Sequence, residues 1–257
     1  MAGDLRYCFE QKHAERTLGL TKSRGLAVVD LEGVTQTAIN KALARNVYIY
    51  AYINPGALEY GRPYYNTFKN LRLAQYAGWP GEWWIDPTSR AWRSFIINQA
   101  ADLQARGTIG LYFDNADIYY MAKEGFEEEK TDMIRKAPAS GLVYEALAEI
   151  ICKIHKTGMI VMPNGGDTFV RRFVRENPGI IKTVNQEGVL YQDKKRQPAE
   201  DTKYYTEYLD WCKRQSMYIR GIEYPKNKAQ ALIAKAYYKK HGWQGIYISY
   251  HKDLRGD

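Results

Sequence analysis

Eight short apolar runs, separated mostly by amphipathic stretches, constrain the fold of this chain more than any other feature. The runs occupy residues 6–10, 26–31, 47–53, 109–113, 159–162, 180–185, 217–222 and 245–249. Each is the length of a buried strand. Between them lie stretches of helical period at 35–45, 89–106, 141–155, 168–176, 200–214 and 227–241. In the second of these, Trp92, Phe95, Ile96, Ala100 and Leu103 recur every three or four positions and mark one apolar face. Two of the stretches run through basic residues into a glycine, Lys156-Thr157-Gly158 and Lys240-His241-Gly242, a common way to stop a helix. Strands alternating with helices pair in parallel through right-handed crossovers, and eight such units close into a barrel. Neither GxGxxG nor a Walker loop favours the competing open doubly wound sheet. No linker or internal repeat divides the chain. The expectation is an α/β chain, one domain over residues 1–257: a (β/α)8 TIM barrel with long loops after strands 3 and 4.

The first long loop, 54–85, carries Tyr60, Tyr64, Tyr65, Trp79, Trp83 and Trp84; the second, 118–140, carries the acidic run 124–129 and is expected to make a helical excursion. Long connections in compact domains are usually functional or disordered, and so much aromatic surface argues against disorder. Flat rings stack on the apolar faces of sugars or bases; as an alternative they cap the barrel as a satellite core.

Active sites of such barrels lie at the carboxyl ends of the strands. Those ends carry Asp30, then Tyr52 and Asn54, then Asp114, Asn115 and Asp117, then Asn164, then Asn185, Gln186 and Glu187, then Glu223 and Tyr224, and finally Tyr250 and His251. The strand bodies are apolar while their ends are polar and acidic, a sorting that scattered surface charge does not produce. The fourth run shows it best: in GTIGLYFDNADIYY, residues 107–120, an apolar stretch stops at Asp114. Alternation along a strand puts Tyr112 and Asp114 on one face. Close carboxylates push their pKa values apart, which supplies one charged and one protonated group near neutral pH. Glycoside hydrolysis needs such a pair, about 5–5.5 Å apart for retention or about 6.5–9.5 Å for inversion.

Composition narrows the alternatives. The net charge is +8, from 37 Lys and Arg against 29 Asp and Glu, yet Lys194-Lys195-Arg196 is the single tight basic cluster and the strand ends would repel phosphates. No nucleic-acid partner is expected. No apolar run reaches the roughly 20 residues that span a bilayer, so no membrane association is expected either. Cys8, Cys152 and Cys212 lack paired spacing, and no histidine stands near Asp114 and Asp117 at ligand spacing, so neither a metal nor a cofactor is expected. The start MAGDLRYCFE lacks the apolar core of a secretion signal. A monomer is expected.

The succession VVDLE at 28–32, YINPGALEYGR at 52–62, WPGEWWID at 79–86, FDNAD at 113–117, PNGG at 163–166 and NQEG at 185–188 resembles glycoside hydrolase family 114, the endo-α-1,4-polygalactosaminidase-like barrels. The likeness runs over nearly the whole chain from strand two onward. It implies an endo-acting, retaining hydrolase of α-1,4-linked galactosamine-containing polysaccharide, secreted or at the cell surface. Residue by residue, it implies Asp114 as nucleophile and Glu187 as general acid/base. Asp30, Tyr52, Asn54, Glu59, Trp83, Asn115, Asp117, Asn164, Glu223 and Tyr250 would contact the amino-sugar polymer. Strand four reads GLYFDN, where many relatives carry a second acid before the DN, and the loop 189–201 is extended. A carbohydrate-binding barrel without catalysis would keep the aromatics but needs neither Asp114 nor Glu187. Focusing by an acidic cleft offsets the positive body at contact range, since salt screens charge beyond about 8 Å.

Overall fold

The computed structural model describes residues 4–127, 133–251 and 254. The first three residues of the amino-terminal stretch, and Glu128 and Glu129 of the acidic run, lie outside the described residues.

Thirteen strands and nine α-helices are described. Eight of the strands make the barrel: β1 (Leu5–Cys8), β2 (Leu26–Val29), β3 (Tyr48–Ile53), β7 (Gly110–Phe113), β8 (Ile160–Pro163), β9 (Thr183–Glu187), β12 (Tyr218–Glu223) and β13 (Gly245–Ile248). β1, β2, β3, β7 and β8 pair in that order, and β9, β12 and β13 in that order, all in parallel. An Asn164–Asn185 bridge joins β8 to β9, with Gly165 N donating to Asn185 O at 3.0 Å. On the other side β13 lies against β1, where the Tyr7 and Tyr247 rings are 5.5 Å apart. The sheet therefore closes.

Helices α1 (Gln11–Leu20), α2 (Gln36–Leu43), α4 (Arg90–Ala105), α6 (Ser140–Lys156), α7 (Asp167–Glu176), α8 (Ala199–Arg214) and α9 (Lys228–His241) wrap the outside. Six of them match the helical stretches read from the sequence. The seventh, α1, was not foreseen because QKHAERTLGL is mostly polar and buries only Ala14, Thr17 and Leu18. Two apolar cores result. One fills the shell between sheet and helices, through side chains such as Val29, Ile49, Leu111, Ile150 and Val184. The other fills the lumen with Tyr7, Val28, Tyr50, Tyr112, Met162, Ile222, Tyr224 and Tyr247. Each large apolar side chain removed from water contributes about 1.5–3 kcal/mol. The lumen is rich in phenols, and those of Tyr7, Tyr112 and Tyr224 reach Asn185 and Glu187 at the carboxyl end of β9.

The segment 54–85 is an ordered excursion. β4 (Ala57–Glu59), β5 (Arg72–Gln75) and β6 (Glu82–Ile85) form an antiparallel sheet in the order β4-β6-β5, linked by α3 (Tyr65–Phe68). Its aromatics divide between a satellite core and the cleft rim. Trp84 is buried under Tyr76, and Trp92 anchors the sheet by donating from Nε1 to Pro55 O at 2.9 Å. Tyr60 and Trp79 stay exposed on the cleft rim. After β7 the chain makes α5 (Ile118–Lys123), and further on Met133 bridges back to Ala74. After β9 it makes a small hairpin, β10 (Tyr191–Gln192) with β11 (Lys195–Arg196).

Candidate active site

A cleft of about 600 Å³ opens at the carboxyl mouth, between the barrel and the excursion sheet. Asp114 and Glu187 both line it, though they come from strands far apart in the chain. Asp114 follows β7 directly, and Glu187 is the last residue of β9. The sixth strand runs past residue 185, where the sequence reading ended it, because TVNQE is bonded into the lumen despite its polarity. Tyr7 Oη donates to Asn185 Oδ1 at 2.8 Å, Asn185 Nδ2 donates to Asn164 Oδ1 at 2.8 Å, and Tyr112 Oη donates to Glu187 Oε1 at 2.8 Å.

Asn164 sets the spacing of the pair. Its Nδ2 donates to Asp114 Oδ1 at 3.0 Å and to Glu187 Oε1 at 2.9 Å. Two contacts of those lengths to one nitrogen hold the oxygens within 5.9 Å of each other, and about 5 Å apart if each bond follows one amide hydrogen. Asn164 reaches that position from a turn in which Gly165 and Gly166 both have positive φ, at 58° and 62°. A Cβ on Gly166 would meet Ala116 Cβ at 2.8 Å, so the close approach of the two loops requires glycine there.

The electrostatics are those of crowded acids. Burial, then the facing Glu187, pushes Asp114 well above the usual carboxylate range, against the pull of the Asn164 amide. Glu187 takes donors from Tyr112, Asn164 and Tyr224, whereas Asp114 takes them from Tyr52 at 3.2 Å and from Asn164. Tyr52, Tyr112 and Tyr224 are themselves pushed up, chiefly by burial, and so remain neutral donors. Of the two carboxyls it is Asp114 whose protonated form burial and the facing Glu187 favour.

Among the other residues singled out from sequence, Tyr52, Glu59, Asn115 and Asn164 line the cleft. Asp30 and Asn54 stand behind it. Asp30 pairs with Arg62 at 2.6 Å, and Asn54 Nδ2 donates to Tyr52, Glu59 and Glu82. The other four lie outside the lining. Trp83 is on the far face of β6, beneath Arg72 at 4.7 Å, because alternation gives the cleft face to Glu82. Asp117 stands at the start of α5 and accepts from Gly166 N at 3.2 Å. Glu223 is fully buried and takes the backbone N–H of Leu190 at 3.1 Å and of Tyr191 at 2.7 Å. Tyr250 sits beyond β13.

Lining residues that were not singled out include Glu82, Tyr76, Arg62 and Gln192, while Trp79 and Tyr224 were read only as a loop aromatic and a strand-end residue. The Trp-Pro-Gly-Glu stretch contained Glu82 and Trp79, but one-dimensional order does not show which of its side chains turns inward. Asn115 takes φ 57°, and its Nδ2 reaches Glu82 at 2.9 Å; Gly56 packs on its carbonyl, where a Cβ would lie 1.8 Å from the oxygen. Among the described residues no group of three or more His, Cys, Asp or Glu is disposed to hold a metal ion.

These acids set a pH dependence of stability. Burial pushes Glu82 and Glu223 up to about 7 and Asp117 to about 6, and raises Asp114 as well. A carboxyl whose pKa is higher in the folded state binds more protons there than in the unfolded chain. Between about pH 4.5 and 7 the stability therefore falls as pH rises. Unfolding by urea at pH 5 and pH 7 is expected to show the lower midpoint at pH 7, and an equal or higher midpoint at pH 7 refutes the burial account.

The fold is shared with solved glycosidase structures. The glycoside hydrolase domain of PelA from Pseudomonas aeruginosa superposes with a TM-score of 0.78 at 17% identity, covering 98% of this chain and 96% of that one. Aspergillus fumigatus Ega3, solved in complex with galactosamine, gives 0.71 at 14% identity, covering 98% and 92%. The α-galactosidase TtGalA from Thermus thermophilus gives 0.60 at 8% identity, covering 95% of this chain and 57% of that one. No curated protein matches the chain by sequence. The model of glycoside-hydrolase family GH114 matches residues 9–255, and the chain belongs to that family.

Proposed function

We propose that this glycoside hydrolase cleaves α-1,4-linked galactosamine-containing polysaccharide at internal bonds, with retention, using Asp114 as nucleophile and Glu187 as general acid/base. The observation that carries the reading is the Asn164 amide bonded to both carboxylates, which keeps them within 5.9 Å. That separation accommodates direct attack on the anomeric carbon and is short of the room an intervening water needs.

In the first step Glu187 gives its proton to the glycosidic oxygen while Asp114 attacks the anomeric carbon, so the bond to the leaving chain breaks as the glycosyl–Asp114 ester forms. In the second, Glu187 takes a proton from water, whose oxygen displaces Asp114. The roles require Glu187 to hold the proton when sugar is bound, whereas burial and the facing Glu187 favour the protonated form of Asp114. A cationic amino sugar beside Asp114 reverses this order, because a nearby positive charge lowers a carboxyl pKa. The exposed Tyr60 and Trp79 rings on the rim offer stacking surface to sugars of a chain lying across the cleft.

The test is cleavage of a panel of amino-sugar and neutral polysaccharides, followed by new reducing ends and by the anomeric configuration of the first product. Mid-length fragments from the galactosamine polymer, released as the α-anomer, are expected. Release of the β-anomer overturns retention, and binding with no new reducing ends in any polymer leaves a carbohydrate-binding barrel.

A further inference from the structure

The charges of the cleft do not cancel, and the remainder sits on a residue that the reaction above does not use. Five acids line the cleft, Glu10, Glu59, Glu82, Asp114 and Glu187, against a single Lys or Arg, Arg62. Arg62 is committed to Glu59 at 2.5 Å, Asp30 at 2.6 Å and Glu32 at 3.0 Å. Glu10 has Lys12 at 2.5 Å and His13 at 3.5 Å. Asp114, buried and facing Glu187, is pushed well above the usual carboxylate range. Glu82 has no salt bridge among the described residues.

The site around Glu82 is nevertheless built. Oε1 accepts from Asn54 Nδ2 at 2.8 Å and from Asn115 Nδ2 at 2.9 Å, which fixes the carboxyl in place. Asn54 and Asn115 are tied in turn, since Asn115 Nδ2 also donates to Asn54 Oδ1 at 3.0 Å and Asn54 Oδ1 accepts from Ala57 N at 2.9 Å. Oε2 takes no hydrogen bond from the described residues. A carboxylate pinned through one oxygen, presenting the other to a cleft and lacking a cation of its own, is complementary to a cationic guest.

The geometry points to Glu82 as the residue that reads charge on the sugar: Oε2 takes the ammonium of an amino-sugar residue and finds no partner on an N-acetylated or neutral one. This rests on the proposed hydrolysis of an amino-sugar polymer and adds the residue that selects its deacetylated form. Glu82 acts on binding, apart from the bonds made and broken at Asp114 and Glu187. Its titration supports the assignment. Burial and then Glu59 push Glu82 up to about 7, against the pull of Asn54, Asn115 and Arg62, so it is partly protonated near neutrality and an ammonium beside it favours the charged form.

The test is a ratio of kcat/KM for fully deacetylated over N-acetylated α-1,4-galactosamine oligomers, in which the titration of the catalytic pair cancels. In the parent the ratio is expected to rise about five-fold from pH 6 to pH 7, as Glu82 gains charge. In Glu82→Gln, a side chain of the same shape that can still accept from the two asparagines, it is expected to fall at least about ten-fold through a higher KM for the deacetylated oligomer, with kcat little changed, and to lose its pH dependence. An unchanged ratio in Glu82→Gln, or equal losses on both oligomers, overturns the inference and leaves the hydrolase reading intact. The pH arm stands if that variant does not fold, and a flat parent ratio overturns the inference by itself. If the parent cuts neither oligomer, the hydrolase reading fails; calorimetric affinities for the same two oligomers then carry the ratio, and binding of neither overturns both readings.

Discussion

Asp114→Asn is expected to lower kcat on the galactosamine polymer by at least about 10⁴-fold and Glu187→Gln by about 10²–10⁴-fold, with both variants folded. The first substitution removes the nucleophile, without which the two-step path does not exist. The second leaves the path but removes proton transfer to the leaving oxygen, a contribution of that size in general acid–base catalysis. Neither change alters side-chain shape, and each relieves a crowded pair of acids, so thermal unfolding is expected at or above the parent midpoint. Azide distinguishes the roles when the substrate carries an activated leaving group. With a truncated acid/base, Glu187→Ala, azide attacks the glycosyl ester and gives a glycosyl azide of retained configuration. With a truncated nucleophile, Asp114→Ala, azide attacks the substrate directly and gives the inverted one. The opposite pattern assigns the nucleophile to Glu187, on which the side chains of Tyr112, Asn164 and Tyr224 converge. Parent-like rates in both variants remove the pair from the mechanism.

The barrel was legible because period is a local property. A strand buried on both faces reads as a short apolar run, and β2, β3, β7 and β8 fall within a residue or two of the runs that announce them. Where a strand carries polar side chains into the lumen, that signal stops early, as at Asn185, Gln186 and Glu187 of β9. The carboxyl ends of the strands pointed to the right mouth of the barrel, but they do not say which side chains enter the cleft. Glu223 shows why. It ends β12 as an active-site acid would, yet it is spent on the backbone N–H groups of Leu190 and Tyr191, which only the folded hairpin brings near. Trp83 and Trp84 are neighbours in sequence and lie on opposite faces of β6, Trp83 beneath Arg72 and Trp84 buried under Tyr76, so the aromatic run does not itself show which ring meets the cleft. Glu82 itself comes from a sheet that no barrel pattern foretells, because β4, β5 and β6 pair with one another rather than with the barrel strands.

Arg62→Met is expected to cost about 3 kcal/mol of stability, the lower end of the range for breaking a buried ion pair from one side. Arg62 has a side chain only 10% exposed and meets Asp30, 5% exposed, at 2.6 Å, while Glu32 and Glu59 retain 28% and 24% exposure and so lose less to solvent screening. The cost therefore comes chiefly from Asp30, left charged and buried with Gln11 Nε2 at 3.4 Å and Glu32 N at 3.0 Å as its remaining donors. For a chain of this size that loss lowers the melting temperature by roughly 6–12 °C. Methionine keeps the apolar stem of arginine, so the deficit reads charge rather than packing. If stranded charge is the cause, Asp30→Asn added to Arg62→Met restores a good part of the loss, whereas each substitution alone destabilises. Activity is expected to fall with stability in Arg62→Met, because the guanidinium also fixes Glu59, which accepts from Tyr52 Oη at 3.0 Å, and Tyr52 donates to Asp114. A midpoint within a degree of the parent would place the network in solvent and make the excursion sheet independent of β2. A rescued double variant that remains inactive would show that Arg62, besides holding the loop down, aligns the nucleophile through Glu59 and Tyr52.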